Sequence, residues 1–118
     1  MAAKESWSGK ISRKLIKKQE IIDVAAGRKK ADLVLKNATY VNVFSGELMT
    51  EDIAVTHGLI VGLGQYEGIR EVDMTGRIVC PGFIDAHSHL DTHIEEMHHC
   101  RHMLAQGVTT VIGGMCGD

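Results

Sequence analysis

The fold of this chain is decided by residues 81–89, which read PGFIDAHSH. Pro81 and Gly82 interrupt the preceding pattern, and the apolar residues after them predict a buried strand that runs into His87 and His89. Residues two apart on a strand point to the same side, so both imidazoles can reach one divalent metal at about 2.0–2.1 Å. Taken alone, the stretch indicates either a metal site at the carboxyl end of a strand or a histidine-rich surface turn.

The residues that follow predict a β-α-β unit. Thr92 and Glu95 have the spacing of a capping box, which predicts a helix that continues through Leu104 and ends at Gly107. Residues 108–112 predict a second buried strand, parallel to the first. In barrels built from such units, functional sites lie at the carboxyl ends of the strands.

The residues before this unit have the pattern of short strands. Residues 31–79 contain short apolar runs separated by turn signals, which predict a small, mostly antiparallel β unit of five or six strands. Ser45 and Gly46 predict a turn, and His57 with Gly58 predict a two-residue hairpin turn. We expect no role for His57 beyond this turn.

The N-terminal residues predict one amphipathic helix behind a mobile leader. Residues 1–10 form the expected leader, Ser12 the expected N-cap, and Gly27 the residue after the last turn. Leu15 and Ile22 fall on one face. We expect that face to pack against a larger body, because an isolated helix of this length is marginal.

Composition and charge narrow the class of protein. The 118 residues are 44% hydrophobic and 24% charged, which is typical of a globular protein and excludes a disordered or collagen-like chain. No apolar run reaches the roughly 18 residues of a membrane span, and no signal peptide is present, so a cytoplasmic location is predicted. Residues 1–36 carry ten basic and four acidic side chains. Because these lysines surround a helix without interleaved aromatics, a nucleic-acid partner is disfavoured.

Residues 81–89 resemble the first barrel strand of the amidohydrolase superfamily, in which the two histidines bind a divalent metal that activates water for hydrolysis. Residues 107–111, GVTTV, resemble the second strand, and the preceding β unit resembles the sandwich subdomain of that family. The resemblance implies an α/β fold that ends within a (β/α)₈ barrel of about 250 residues. Its parts would be a leader and N-terminal helix (1–30), a partial β-sandwich subdomain (31–80) and the truncated start of the barrel (81–118).

Three stretches resemble bacterial adenine deaminases: AAGRKKADLVLKN (25–37), VFSGEL (43–48) and GLGQYEG (62–68). This resemblance implies the N-terminal part of an enzyme that converts adenine and water into hypoxanthine and ammonia by attack of metal-activated hydroxide. The metal would be Mn, Fe or Zn, and the metal site of the full-length enzyme would be binuclear. That enzyme is expected to be a homo-oligomer that acts on a small molecule, with no nucleic-acid or membrane partner.

The residues after His89 depart from this pattern. LDTH (90–93) stands where adenine deaminases carry Ile-Glu-Ser-Ser, and GMCG (114–117) stands where they carry Asp-Pro-His-Glu. The second stretch resembles the Gly-Asn-Cys-Gly of N-acyl-D-amino-acid deacylases, whose cysteine binds zinc. It implies an alternative enzyme that cleaves acylated amino acids, with Cys116 as a third metal ligand. A small buried cysteine in a tight turn is the other interpretation of Cys116, and a non-catalytic remnant is a further interpretation of the chain.

The remaining chemistry-bearing residues predict supporting or surface roles. Asp85 shares the predicted face of His87 and is expected to act structurally rather than as a direct ligand. His98 and His102 have a spacing that can bind zinc, but without an HExxH motif they predict a solvated helix face. The catalytic acid/base is unknown and is expected in strands beyond residue 118. The 118 residues alone are therefore expected to be inactive and poorly stable.

Overall fold

The computed structural model describes residues 7–89 and 100–114, with side chains from residue 14 onward. The chain divides into two compact units, Met1–Val79 and Cys80–Asp118, here called the N-terminal and C-terminal units. The N-terminal unit contains α1 (Trp7–Ala25), β1 (Ala31–Asn42), β2 (Glu47–Thr56), β3 (Leu59–Gly64), β4 (Gly68–Asp73) and β5 (Ile78–Val79). The C-terminal unit contains β6 (Phe83–Asp85), α2 (Arg101–Ala105) and β7 (Val108–Val111). The fold is therefore mixed α/β.

Helix α1 begins earlier than the sequence predicts. It starts at Trp7, so residues 7–10, which were expected to be a mobile leader, are helical and Ser12 lies inside the helix rather than at its cap. The first turn of any helix leaves its N–H groups without intrahelical partners. Gly9 is therefore tolerated there, and the lysine-rich residues after it favour the helical state.

The end of α1 matches the prediction. Gly27 has a φ of +70°, its N–H donates to the carbonyl of Val24 at 2.9 Å, and the N–H of Arg28 donates to the carbonyl of Asp23 at 2.8 Å. These two bonds form a Schellman motif, in which a left-handed residue closes the helix. Glycine is suited to this position because it lacks the Cβ that penalises positive φ.

Strand β1 forms the centre of a five-stranded sheet in the order β3-β2-β1-β4, with β5 also paired to β1. The pairs β1–β2 and β2–β3 are antiparallel, whereas β4 and β5 run parallel to β1. The prediction of a mostly antiparallel sheet is thus wrong for β4 and β5. Residues 65–67 carry the chain from β3 to the other edge of β1, and β4 then starts beside Ala31, where β1 starts.

Strand β1 contains a bulge. The register with β2 shifts between Leu35 and Ala38, and Asn37 takes a φ of +54°. Its N–H donates to Oδ1 of Asp52 at 3.0 Å instead of joining the ladder. Asparagine tolerates left-handed backbone better than most residues, so the strand bends here without ending.

The hairpin between β2 and β3 has the predicted turn. His57 and Gly58 both have positive φ, 52° and 76°, as a type I′ turn requires. The expectation that His57 does nothing else is wrong, because its Nε2 lies 2.6 Å from Oε2 of Glu20 on α1. Hydrogen bonds from Lys29 and His57 hold the pKa of Glu20 below its ordinary value. The hairpin tip is thereby tied to the helix.

The core of the N-terminal unit lies between α1 and the sheet. It consists of four buried residues with partly buried apolar neighbours: Val24, Ala31, Val34 and Ala54, with Val61 and Tyr66 packed against them. The predicted packing face of α1 is wrong, because Leu15 and Ile22 are 61% and 54% exposed. Val24 follows Leu15 by about two and a half helical turns and so faces the opposite way. Small alanines on β1 and β2 let that face approach the sheet.

A buried carboxylate joins three segments of this unit. Asp52 is 8% exposed and accepts hydrogen bonds from the Lys36 ammonium and from the N–H of Asn37. The Lys36 ammonium also donates to the carbonyl of Tyr66 at 3.1 Å. Burial alone raises the pKa of Asp52, but the hydrogen bonds from Lys36, Asn37 and Tyr66 outweigh it and hold that pKa below its usual range. Asp52 therefore stays ionised and ties β1, β2 and the 65–67 loop together.

The C-terminal unit confirms the predicted parallel pairing of its strands. Phe83 pairs with Val108 and Asp85 with Val111 in a two-stranded parallel sheet. The described part of the predicted helix is α2, and it ends before Gly107, whose φ is +84°. The capping box falls in residues 90–99, outside the described residues. The sandwich and barrel of the family resemblance stay predictions.

None of the helices described in either unit is long and apolar enough to cross a membrane.

We predict that Asp52→Asn lowers the free energy of unfolding by about 1–3 kcal/mol at pH 7, because it leaves the partly buried Lys36 ammonium without its counter-charge. Urea unfolding measures this. Glu67→Gln, which removes an ion pair between exposed side chains at 3.0 Å, is the control and should cost less than about 1 kcal/mol.

The same pair predicts a pH dependence. Because the folded-state pKa of Asp52 is depressed, its contribution is present above the unfolded pKa of about 3.9 and is lost as the pH falls through the folded pKa. The difference in stability between wild type and Asp52→Asn should therefore shrink on acidification from about pH 5. An undiminished difference at pH values below the folded pKa would contradict this account.

Candidate metal site at the ends of β6 and β7

Strand β6 is shorter than the sequence predicts. It ends at Asp85, so His87 and His89 lie in the segment after the strand and not on the strand itself. Oδ1 of Asp85 accepts a hydrogen bond from the N–H of His87 at 3.1 Å, which closes an Asx turn. The last ladder bond runs from the N–H of Ile112 to the carbonyl of Asp85 at 2.9 Å. A side chain thus takes the backbone donor that would have extended the strand.

The structure nevertheless brings the two histidine rings together. The ring centroids of His87 and His89 are 5.5 Å apart, with their planes at 68°, and both residues are exposed. Two imidazoles that share one tetrahedral metal at about 2.0–2.1 Å have centroids about 5–6 Å apart. The separation therefore fits one divalent metal bound between the rings, and imidazole nitrogens suit Zn, Fe and Mn.

The other candidate ligands are only partly described. Cys116 lies outside the described residues, and so does His98, the predicted helical partner of His102. His102 itself is exposed on α2. Within residues 7–89 and 100–114, no group of three or more His, Cys, Asp or Glu side chains could hold a metal. The histidine pair is thus the described part of the candidate site.

The parallel pairing sets where the two strands end. Because β6 and β7 run the same way, the chain leaves both strands at one edge of the sheet. Ile112 lies beside Asp85, and Gly114 takes a left-handed φ of +74° just beyond it. The segment that leads to Cys116 therefore starts at the same edge as the histidine pair.

A close approach between the chain at the start of β6 and strand β7 explains why residue 82 is glycine. A Cβ on Gly82 would lie 2.0 Å from Oγ1, 2.4 Å from Cγ2 and 2.7 Å from Cβ of Thr109 on β7. Since the Cβ of Thr109 is fixed to the backbone, rotation of its side chain cannot relieve the clash. Only glycine lets the chain enter β6 at this distance from β7.

The N-terminal unit contains a cleft of about 830 Å³ that no motif in the sequence predicts. Four cations line it, but each is paired with a carboxylate: Arg28 with Asp23, Lys29 with Glu20, Lys30 with Glu67, and Lys36 with Asp52. These pairs neutralise the cations within the protein. The cleft therefore does not present an anion site.

Comparisons with known proteins agree with the sequence resemblances. The model of the amidohydrolase family matches residues 70–118. An adenine deaminase of Desulfitobacterium hafniense (strain Y51) is 53% identical over 87 residues, which are 73% of this chain and 15% of that protein.

Solved structures of deacylases are similar to the chain. An N-acyl-D-glutamate deacylase from Bordetella bronchiseptica, complexed with zinc and a phosphonate inhibitor, gives a TM-score of 0.66 at 32% identity over 75% of this chain and 19% of that one. A D-aminoacylase with a binuclear metal center gives a TM-score of 0.67 at 31% identity over 74% and 19%. The chain spans less than a fifth of each of these proteins.

We predict that Gly82→Ala separates β6 from β7 and speeds hydrogen exchange at the amide of Ile112 on the order of tenfold or more, because overpacking of this kind costs about 1–3 kcal/mol. Exchange measured by NMR tests this. The double variant Gly82→Ala with Thr109→Gly removes the clashing side chain and should recover slow exchange. Equal exchange in wild type and Gly82→Ala would show that the close approach is not required.

Proposed function

We propose that the chain is the N-terminal part of a metal-dependent hydrolase of the amidohydrolase family that resembles adenine deaminase. The family match and the deaminase and deacylase relatives indicate a hydrolase. The proposed reaction converts adenine and water into hypoxanthine and ammonia. The observation that carries the proposal is the pair of imidazoles 5.5 Å apart at the edge where β6 and β7 end.

The residues present fit a divalent metal. His87 and His89 would hold it, and Cys116 would be a third ligand. When bound, the metal supplies a Lewis acid that makes water available as a nucleophile near neutral pH. The chain's own contribution is to hold two imidazole rings with their centroids 5.5 Å apart, in exposed positions just after β6.

The ligand types restrict the metal to a small set. Imidazoles alone are compatible with Mn, Fe and Zn, whereas a thiolate from Cys116 would favour Zn. The zinc in the deacylase complex and the binuclear center of the D-aminoacylase support a divalent metal, with a binuclear site in the whole enzyme.

A second candidate function is the hydrolysis of N-acyl-D-amino acids. The structural similarity to two deacylases favours it, as does GMCG at residues 114–117. Both reactions add water to a trigonal carbon and release a nitrogen group. In adenine the carbon is C6 and the leaving group is ammonia. In an N-acyl amino acid the carbon is the amide carbonyl carbon and the leaving group is an amine. The same metal ligands therefore serve either reaction, and the substrate pocket decides between them.

We propose the domain boundaries of the resemblance for the whole protein: residues 1–30 as leader and helix, 31–80 as part of a sandwich, and 81–118 as the start of a barrel. Phe83 and Ile84 on β6 are 57% and 65% exposed. Strands of a parallel sheet are normally covered on both faces, so these side chains fit the first strand of a larger sheet. The whole enzyme would be a cytoplasmic homo-oligomer that acts on small molecules.

We predict that the whole enzyme releases ammonia from adenine faster than it releases carboxylate from N-acyl-D-amino acids. His87→Ala and His89→Ala should each lower kcat/KM more than about 100-fold, because each removes a ligand of the activating metal. His102→Ala, an exposed histidine on α2, is the matched control and should retain activity. Preference for the acylated amino acid would select the second function, and full activity in both ligand variants would refute the site.

We also predict that the isolated 118-residue chain, supplied with Mn, Fe or Zn, releases no ammonia from adenine. A barrel active site needs groups from several strands, and this chain supplies two of the roughly eight. A coupled ammonia assay measures this, with the whole enzyme as positive control. Deamination by the isolated chain would overturn the proposal that the catalytic acid/base lies in later strands.

A further inference from the structure

We propose that Asp85 is a positioning residue of the metal site, whose carboxylate fixes the direction in which the histidine pair leaves β6. The metal-binding part of this inference rests on the proposed function. The ordering of residues 86–89 by Asp85 does not depend on it, and the two parts are tested separately.

Asp85 accepts two hydrogen bonds, one through its backbone carbonyl and one through its side chain. Its backbone carbonyl accepts the N–H of Ile112 at 2.9 Å, which holds it to the end of β7. Its side-chain Oδ1 accepts the N–H of His87 at 3.1 Å, which holds the first candidate ligand. The half-buried Asp85 thus links the edge of the sheet to the segment that carries both imidazoles.

This link matters because the histidines are not on the strand. On a strand, the ladder would hold His87 and His89 in place. Here β6 has already ended, and both residues are exposed. Without the Asx turn, residues 86–89 would sample more backbone states, and a metal would have to select one of them. The hydrogen bond to the Asp85 carboxylate restricts these backbone states before a metal binds.

Direct ligation of the metal is the competing role for Asp85, and an asparagine substitution distinguishes the two roles. The carbonyl oxygen of asparagine accepts the same hydrogen bond from His87 but lacks the charge of a carboxylate ligand. A positioning role therefore predicts that Asp85→Asn retains the function and Asp85→Ala loses it. A ligand role predicts that both lose it.

The first experiment uses the whole protein in its metal-free form. Asp85→Ala should speed exchange of the His87 amide roughly tenfold, because it removes that group's acceptor, and Asp85→Asn should leave it near the wild-type rate. Asp73→Ala is the matched control, since Oδ1 of Asp73 closes the same kind of turn by accepting the N–H of Thr75 at 3.0 Å in the N-terminal unit. Unchanged exchange at His87 in Asp85→Ala would overturn the inference, whatever the metal does.

The second experiment titrates the same proteins with Co(II), read by its visible absorption. Asp85→Ala should weaken binding on the order of 10–100-fold, while Asp85→Asn and Asp73→Ala stay within about threefold of wild type. Equal loss in Asp85→Ala and Asp85→Asn would show a ligand and contradict positioning.

The outcomes also separate this inference from the proposed function. If wild type binds Co(II), and His87→Ala and His89→Ala do not, but Asp85→Ala binds as wild type does, the metal site stands and the positioning role fails. If wild type binds no Co(II), the metal-binding part fails with the proposed site, and the exchange experiment decides the ordering of residues 86–89.

Discussion

The parallel hydrogen bonding of β6 to β7 is the constraint on which the candidate site depends. It brings the carboxyl ends of two strands to one edge, so that the turn after Asp85 and the glycines after Val111 begin side by side. Parallel strands require a crossover between them, which leaves their carboxyl edge available for side chains that follow each strand. Gly82 permits the pairing because any side chain there would strike Thr109. The imidazole pair is thus a consequence of strand direction and of one close backbone approach.

The N-terminal unit is stabilised differently, by a small apolar core and a satisfied buried charge. Val24 packs between helix and sheet, and Asp52 is held by Lys36 and by backbone donors. This unit has residues that are fully shielded from water. Among the described residues of the C-terminal unit none is buried, and apolar side chains such as Ile84 and Leu104 are exposed. The N-terminal unit therefore carries its own stabilising interactions, whereas the described residues of the C-terminal unit form no buried core.

Features set by local chemistry could be predicted from the sequence, and features set by distant contacts could not. The turn at His57 and the helix end at Gly27 follow from backbone conformations that neighbouring residues impose. The choice of Val24 over Leu15 as the packed side of α1 depends on where the sheet lies. The short β6 had no signal in the apolar run, because an aspartate side chain, and not the strand pattern, decides where the ladder stops. The two imidazoles were expected to lie close together because of a strand that the structure ends at Asp85; their proximity arises instead in the segment after the strand.

The proposed function requires that His87 and His89 share one divalent metal. X-ray diffraction from zinc-loaded crystals of the whole protein, recorded at the zinc absorption edge, tests it most directly. We expect an anomalous peak at about 2.0–2.1 Å from a ring nitrogen of each histidine. Zinc bound elsewhere in the protein, with neither imidazole in contact with an ion, would contradict it.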